Sequence, residues 1–105
     1  MKQEIKRWTI AQHGILDLDN VQALFGKEVK THVASREYPA GTKFTGVMKR
    51  CTCFVVSGEC EYRFANTEFR LSEAEWTELE AGDYQFAVVG DSPVKLILAW
   101  LLVAE

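Results

Sequence analysis

The sequence is poor in histidine, in proline and in long apolar runs, and each shortage removes a class of function. Two histidines and two prolines occur in 105 residues. Residues 42–57 contain no His, Asp or Glu, and residues 83–100 contain no His. The first stretch thus lacks every imidazole and carboxylate donor that holds iron or manganese, and the second lacks the imidazole. An excess of basic charge is also missing. Twelve Lys and Arg against 15 Asp and Glu leave a net charge of −3, which argues against a nucleic-acid partner. Residues 1–7 are not followed by the apolar segment of a signal peptide. The longest apolar run, residues 96–104, is about half of a membrane span. The expectation is a cytoplasmic protein with no membrane contact. Three cysteines, Cys51, Cys53 and Cys60, make an odd set that argues against a disulfide framework and for reduced thiols.

What is present reads as one all-β domain over residues 1–105. Hydrophobic residues make up 48% and charged residues 26%, an ordinary globular balance. Trp8 and Ile10 suggest a short strand. Residues 17–25 suit a single short helix, capped by Asp19 or Asn20, with Val21, Leu24 and Phe25 at helical spacing and Gly26 at its end. From Val29 the chain alternates through Thr31 and Val33 as a strand, which stops at Pro39-Ala40-Gly41.

Residues 51–64 read as a hairpin turning at Ser57-Gly58, with Val55 opposite Cys60 and Cys53 opposite Tyr62. Alternation puts Cys51, Cys53, Val55, Cys60, Tyr62 and Phe64 on the core face, and Glu59, Glu61 and Arg63 outside. Asn66-Thr67 makes a turn before Phe69 and Leu71. The capping-box pattern of residues 72–75 admits at most one helical turn. Tyr84, Phe86 and Val88 share a face of the next strand, which ends in a turn at residues 90–93. Residues 94–103 form the last strand.

Short strands at this spacing, with Pro39-Ala-Gly41, Ser57-Gly58-Glu59, Leu79-Glu-Ala-Gly-Asp83 and Gly90 at a fixed interval after Gly82, resemble the cupin superfamily. The resemblance covers residues 29–102 and implies a jelly-roll barrel, a double-stranded β-helix, with its core over residues 29–103. It also implies where metal ligands would stand. The family's glutamate position falls on Cys51. Its paired histidines fall on Thr45 and Val47, on Phe44 and Gly46, or on Val47 and Lys49, depending on the register. Its third histidine falls on Pro93. None of these residues is a family ligand, so neither metal nor other cofactor is expected, and metal-dependent dioxygenase, decarboxylase or isomerase chemistry is put in doubt.

Other polar groups have plainer readings. Cys51-x-Cys53 with Cys60 offers three soft donors, yet the spacing is not that of a zinc knuckle, and buried cysteine commonly serves as a small hydrophobe. His13 falls in a loop. His32 shares a strand face with Lys30, Ala34 and Arg36; that face is polar and is expected to meet solvent. In the reverse register, His32 and Arg36 would line the pocket and act on an anion. Glu73, Glu75, Glu78 and Glu80 lack the loop pattern of a calcium site and read as a solvated face around a packing residue, Trp76.

The final strand is apolar on both faces. Either the segment around Trp8 and Ile10 covers the second face, or another subunit does; a homodimer through residues 96–103 is the preferred expectation. Three functions follow from this reading. The first is a metal-independent module whose pocket, lined by Val47, Cys51, Cys53, Tyr62, Phe86 and Pro93, binds a small, partly apolar ligand. The second is a metal-free isomerase, epimerase or lyase using His32 with Tyr38 or Tyr62 as acid and base. The third is an interaction protein with a filled barrel. Fold alone does not choose among them.

Overall fold

Alternating apolar residues and β-branched side chains put most of this chain in strands. The computed structural model describes residues 3–26 and 30–101. Among these residues the order is β1 (Lys6–Arg7), α1 (Ile10–His13), α2 (Leu18–Phe25), β2 (Thr31–Tyr38), β3 (Lys43–Met48), β4 (Cys51–Ser57), β5 (Cys60–Phe64), β6 (Thr67–Leu71), β7 (Glu75–Leu79), β8 (Gly82–Val88) and β9 (Val94–Leu101). Two antiparallel sheets face one another, one ordered β1-β7-β4-β9-β2 and the other β3-β8-β5-β6. The expected first residue of the one strand, Val29, and the expected last residue of the other, Val103, lie outside the described residues.

Period-two alternation divides the interior into two layers. Between the sheets lie Cys51, Cys53 and Val55 from β4, Cys60 and Tyr62 from β5, and Leu96 and Leu98 from β9, all buried. Behind the five-stranded sheet, Phe54, Ile97 and Ala99 are covered by Trp8 and Val21. The second apolar face of the last strand is therefore closed by the chain's own N-terminal segment over Ile97 and Ala99. Ile10 takes no part in this cover and is 70% exposed.

That N-terminal layer differs from its sequence reading in three places. Trp8 is not in a strand; β1 precedes it, and Ile10 opens the helical turn α1. The indole is 4% exposed, donates from Nε1 to the Gly14 carbonyl at 2.9 Å, and sets its ring edge-on against Phe54 at 5.7 Å. His13, expected in a solvated loop, ends α1 and packs on Trp8 at 4.9 Å. Helix α2 fills the expected span, but its cap is Asp17 and not Asp19: Asp17, in extended backbone, accepts from the Asn20 backbone N–H at 2.8 Å. Asn20 is no cap: its side chain donates to the Ile15 carbonyl at 2.7 Å.

The hairpin expected over residues 51–64 does not form. β4 pairs with β7 and β9, whereas β5 pairs with β6 and β8, so Ser57-Gly58 carries the chain from one sheet to the other. The crossing is tight. Gly58 has φ +83°, and a Cβ there would sit 2.4 Å from the Pro93 carbonyl oxygen, a space no side chain fits. The core-facing set is unaffected, because alternation fixes faces and not partners. Outside, Arg63 meets Glu68 at 2.8 Å and Arg70 meets Glu61 at 3.2 Å, the charged face that alternation requires.

At residues 72–75 the capping box survives without a helix: Glu75 accepts from the Ser72 backbone N–H at 2.7 Å across a reverse turn whose Ala74 has φ +69°. Glu78 pairs with Arg50 at 3.7 Å, and Trp76 stacks on Phe54 at 5.1 Å as a packing residue. No described helix is long and apolar enough to cross a membrane.

Candidate functional site

Five strands and one turn build a cavity of about 340 Å³ that opens between the sheet edges. Strand β2 contributes Arg36 and Tyr38, β3 contributes Phe44, Val47 and Met48, and Lys49 follows in the turn. Tyr62 from β5, Tyr84 and Phe86 from β8, and Leu96, Leu98 and Trp100 from β9 complete it. Aromatic rings dominate. Phe44 stacks on Phe86 at 4.9 Å, Tyr38 tilts against both at 5.3 and 5.2 Å, and Tyr62 stands edge-on to Phe86 at 5.2 Å. This mixture of rings and few polar groups is the usual makeup of a small-molecule pocket. A wider concavity of about 630 Å³, beside Gln3, Glu78 and Asp83, is walled mostly by exposed polar residues and lacks such a lining.

Of the six residues predicted to line the pocket, Val47, Tyr62 and Phe86 do so. Val47 stands at the rim, 78% exposed. Cys51 and Cys53 lie behind the wall: Cys51 Sγ is 3.6 Å from Met48 Sδ, and Cys53 Sγ is 3.4 Å from the Tyr62 hydroxyl. Pro93 is not in the group. It is exposed in the β8–β9 turn, with its carbonyl against Gly58. Phe44, Met48, Lys49, Tyr84, Leu96, Leu98 and Trp100 were not singled out as pocket residues, although the shared face of Tyr84 and Phe86 already pointed to one of them.

The polar face of β2 meets solvent as expected, with His32 and Arg36 both exposed, yet it lies on the cavity side of the sheet. Arg36 pairs with Leu96, Ala34 with Leu98 and His32 with Trp100, so these residues share the cavity side, while Val33 packs toward the N-terminal layer. The polar residues stay hydrated because β2 is an edge strand beside the opening. His32 itself is exposed and stacks on Trp100 at 5.5 Å, outside the lining.

Burial sets the protonation of the inner groups. It pushes the Cys51 and Cys53 thiols up from 9.0 to about 12, and that of Cys60 higher too. Burial, with the neighbouring thiols, holds Tyr62 well above its ordinary 10.0; burial, then Tyr38, raises Tyr84. At neutral pH burial keeps these thiols protonated, short of the thiolate that nucleophilic attack requires.

Neither a family model nor a curated protein sequence matches the chain. Solved structures do. The cupin domain of an XRE family transcriptional regulator from Enterobacter cloacae superposes with a TM-score of 0.62 at 13% identity, over 74% of this chain and 86% of that one. The chain has the cupin fold. The cupin domain of Schizosaccharomyces pombe Cnp3 aligns with a TM-score of 0.57 at 21% identity, over 71% of this chain and 55% of that one. A de novo designed double-stranded β-helix aligns with a TM-score of 0.54 at 15% identity, over 64% of this chain and 95% of that one.

Cupins commonly hold a metal in the barrel, and the residues of this cavity do not suit one. Its lining consists of rings, Met48, aliphatic side chains and two cations, with no imidazole or carboxylate. Among the described residues no group of three or more His, Cys, Asp or Glu is arranged around a common point. Arg36 and Lys49 would repel a metal ion brought to this wall.

Gly46 shapes this cavity by having no side chain. It sits opposite Tyr84 in the β3–β8 ladder, and a Cβ there would lie 3.1 Å from Tyr84 Cε1 and 3.3 Å from its hydroxyl. Gly46→Ala is expected to push the phenol off the strand at a cost of about 1 kcal/mol in stability. The Tyr84 ring signals should move in an aromatic NMR spectrum, and unchanged signals would contradict this placement.

Proposed function

We propose that this protein is a metal-independent, cupin-like binding module for a small organic molecule with an apolar, ring-accommodating body. One observation carries the reading: the interior cavity has aromatic walls and no acid–base or metal-ligand set. Its volume lies within the range of ligand pockets and supports binding over a merely filled barrel. The metal-free isomerase, epimerase or lyase reading is less well supported. His32 is stacked outside the cavity lining, and the Tyr62 and Tyr84 phenols are held protonated, so the histidine that this chemistry calls on does not face the interior. Three free, buried thiols fit a reducing compartment such as the cytoplasm.

Native mass spectrometry with elemental analysis, on protein purified without added metal, tests the reading. The expected result is a co-purifying organic adduct and no stoichiometric transition metal. Tightly held iron, manganese or zinc would overturn it. The same spectrum reads the homodimer proposed through residues 96–103. The exposed Leu101 supports that dimer, although Ile97 and Ala99 no longer need a second copy to cover them.

A further inference from the structure

Charge around the cavity runs against the charge of the chain. Acidic residues outnumber basic ones 15 to 12, yet the lining holds Arg36 and Lys49 and no carboxylate. Three of the other four arginines are matched: Arg50, Arg63 and Arg70 each meet a glutamate, while Arg7 lies exposed on β1, away from the cavity lining. Among the described residues Arg36 joins no ion pair. The one bond it donates goes from Nη1 to the Ser35 carbonyl at 3.0 Å, which leaves most of the guanidinium fork open. Neighbouring Glu37 falls on the other face of β2 by alternation, and the residue opposite Arg36 is the apolar Leu96. Lys49 approaches from the β3–β4 turn on the facing sheet's edge.

Resting on the small-molecule reading above, we propose that the ligand is a ring-bearing carboxylate. Its ring lies among Tyr38, Phe44, Phe86 and Trp100, and its carboxylate takes the Arg36 fork, with Lys49 as a second positive charge. A planar guanidinium matches a carboxylate in bidentate geometry, whereas the lysine acts as a point charge that adds attraction without fixing orientation. Apolar rings supply the burial, and the cation at the rim selects the charge.

Calorimetric titration with cinnamate and its uncharged isostere cinnamamide separates these contributions. The native protein should bind cinnamate roughly tenfold more tightly at low ionic strength, about the effect of one charge-assisted contact. Arg36→Gln should remove that preference while leaving cinnamamide affinity unchanged. Lys49→Gln should weaken cinnamate by about two- to threefold, as a partly screened point charge does. Arg70→Gln, on the outer face, makes the same charge change and should alter neither affinity. All three side chains are exposed, so folding is not at stake. Equal binding of the two probes, or a preference that survives Arg36→Gln, would overturn the carboxylate assignment and leave the binding module standing. Failure of both probes to bind would overturn both.

Discussion

Raising the pH from 9 toward 12 is expected to unfold this protein. Cys51 and Cys53 titrate at about 12 in the fold against 9.0 ordinarily, because burial penalises the thiolate. Below pH 9 both thiols are protonated in the folded and unfolded chain alike, and their stabilising effect is intact. Above pH 9 the unfolded chain releases protons that the folded chain keeps, so the unfolding free energy falls by about 1.4 kcal/mol per pH unit per thiol. Two thiols together lose roughly 3 kcal/mol per unit until the folded-state values are reached, and Cys60 and Tyr62 shift in the same direction. Two to three units thus remove about 6–9 kcal/mol, a large share of a typical stability of about 5–15 kcal/mol. Urea midpoints at pH 7, 9, 10 and 11 check this: a flat profile to pH 9 and a steep fall beyond it are expected. A flat profile to pH 11 would mean that the thiols are not desolvated in solution.

Those thiols also show where sequence reading succeeds. Period-two alternation in residues 51–64 separates the two faces correctly, with Cys51, Cys53, Cys60 and Tyr62 all buried on one of them, although on β4 the other face, with Thr52 and Phe54, is buried as well. It does not name strand partners. The crossing at Gly58, with a bulge between Val55 and Ser57, separates β4 from β5 although nothing in their alternation marks the break. Cys53 still reaches Tyr62, across the space between sheets and not along a ladder.

The cavity is less legible, for two physical reasons. Counting along the chain placed Pro93 at a ligand position, but an exposed turn, not a fixed interval, decides where that residue falls. On β2 the polar set was assigned to bulk solvent because one sheet face is normally buried and the other wet. Here the helical layer takes Val33 on one side, and the cavity mouth takes Arg36 on the other. A hydrated mouth and open solvent ask for the same residues.

Truncating Phe54 tests whether the two apolar layers are separate. The ring is fully buried and touches three aromatic neighbours behind the five-stranded sheet: Trp8 at 5.7 Å, Phe25 at 6.5 Å and Trp76 at 5.1 Å. Phe54→Ala removes the piece that ties the N-terminal segment to β4 and leaves a cavity under α2, which typically costs about 3–5 kcal/mol. The side chain projects away from the pocket, whose walls belong to the inner layer with Tyr62, Phe86 and Leu96. In conditions where the variant remains folded, affinity for a ring-bearing probe should therefore match that of the native protein, while hydrogen exchange in α1 and α2 accelerates. Equal loss of stability and probe affinity would mean that the layers act as one core, and the N-terminal segment would then belong to the binding site as well as to the fold.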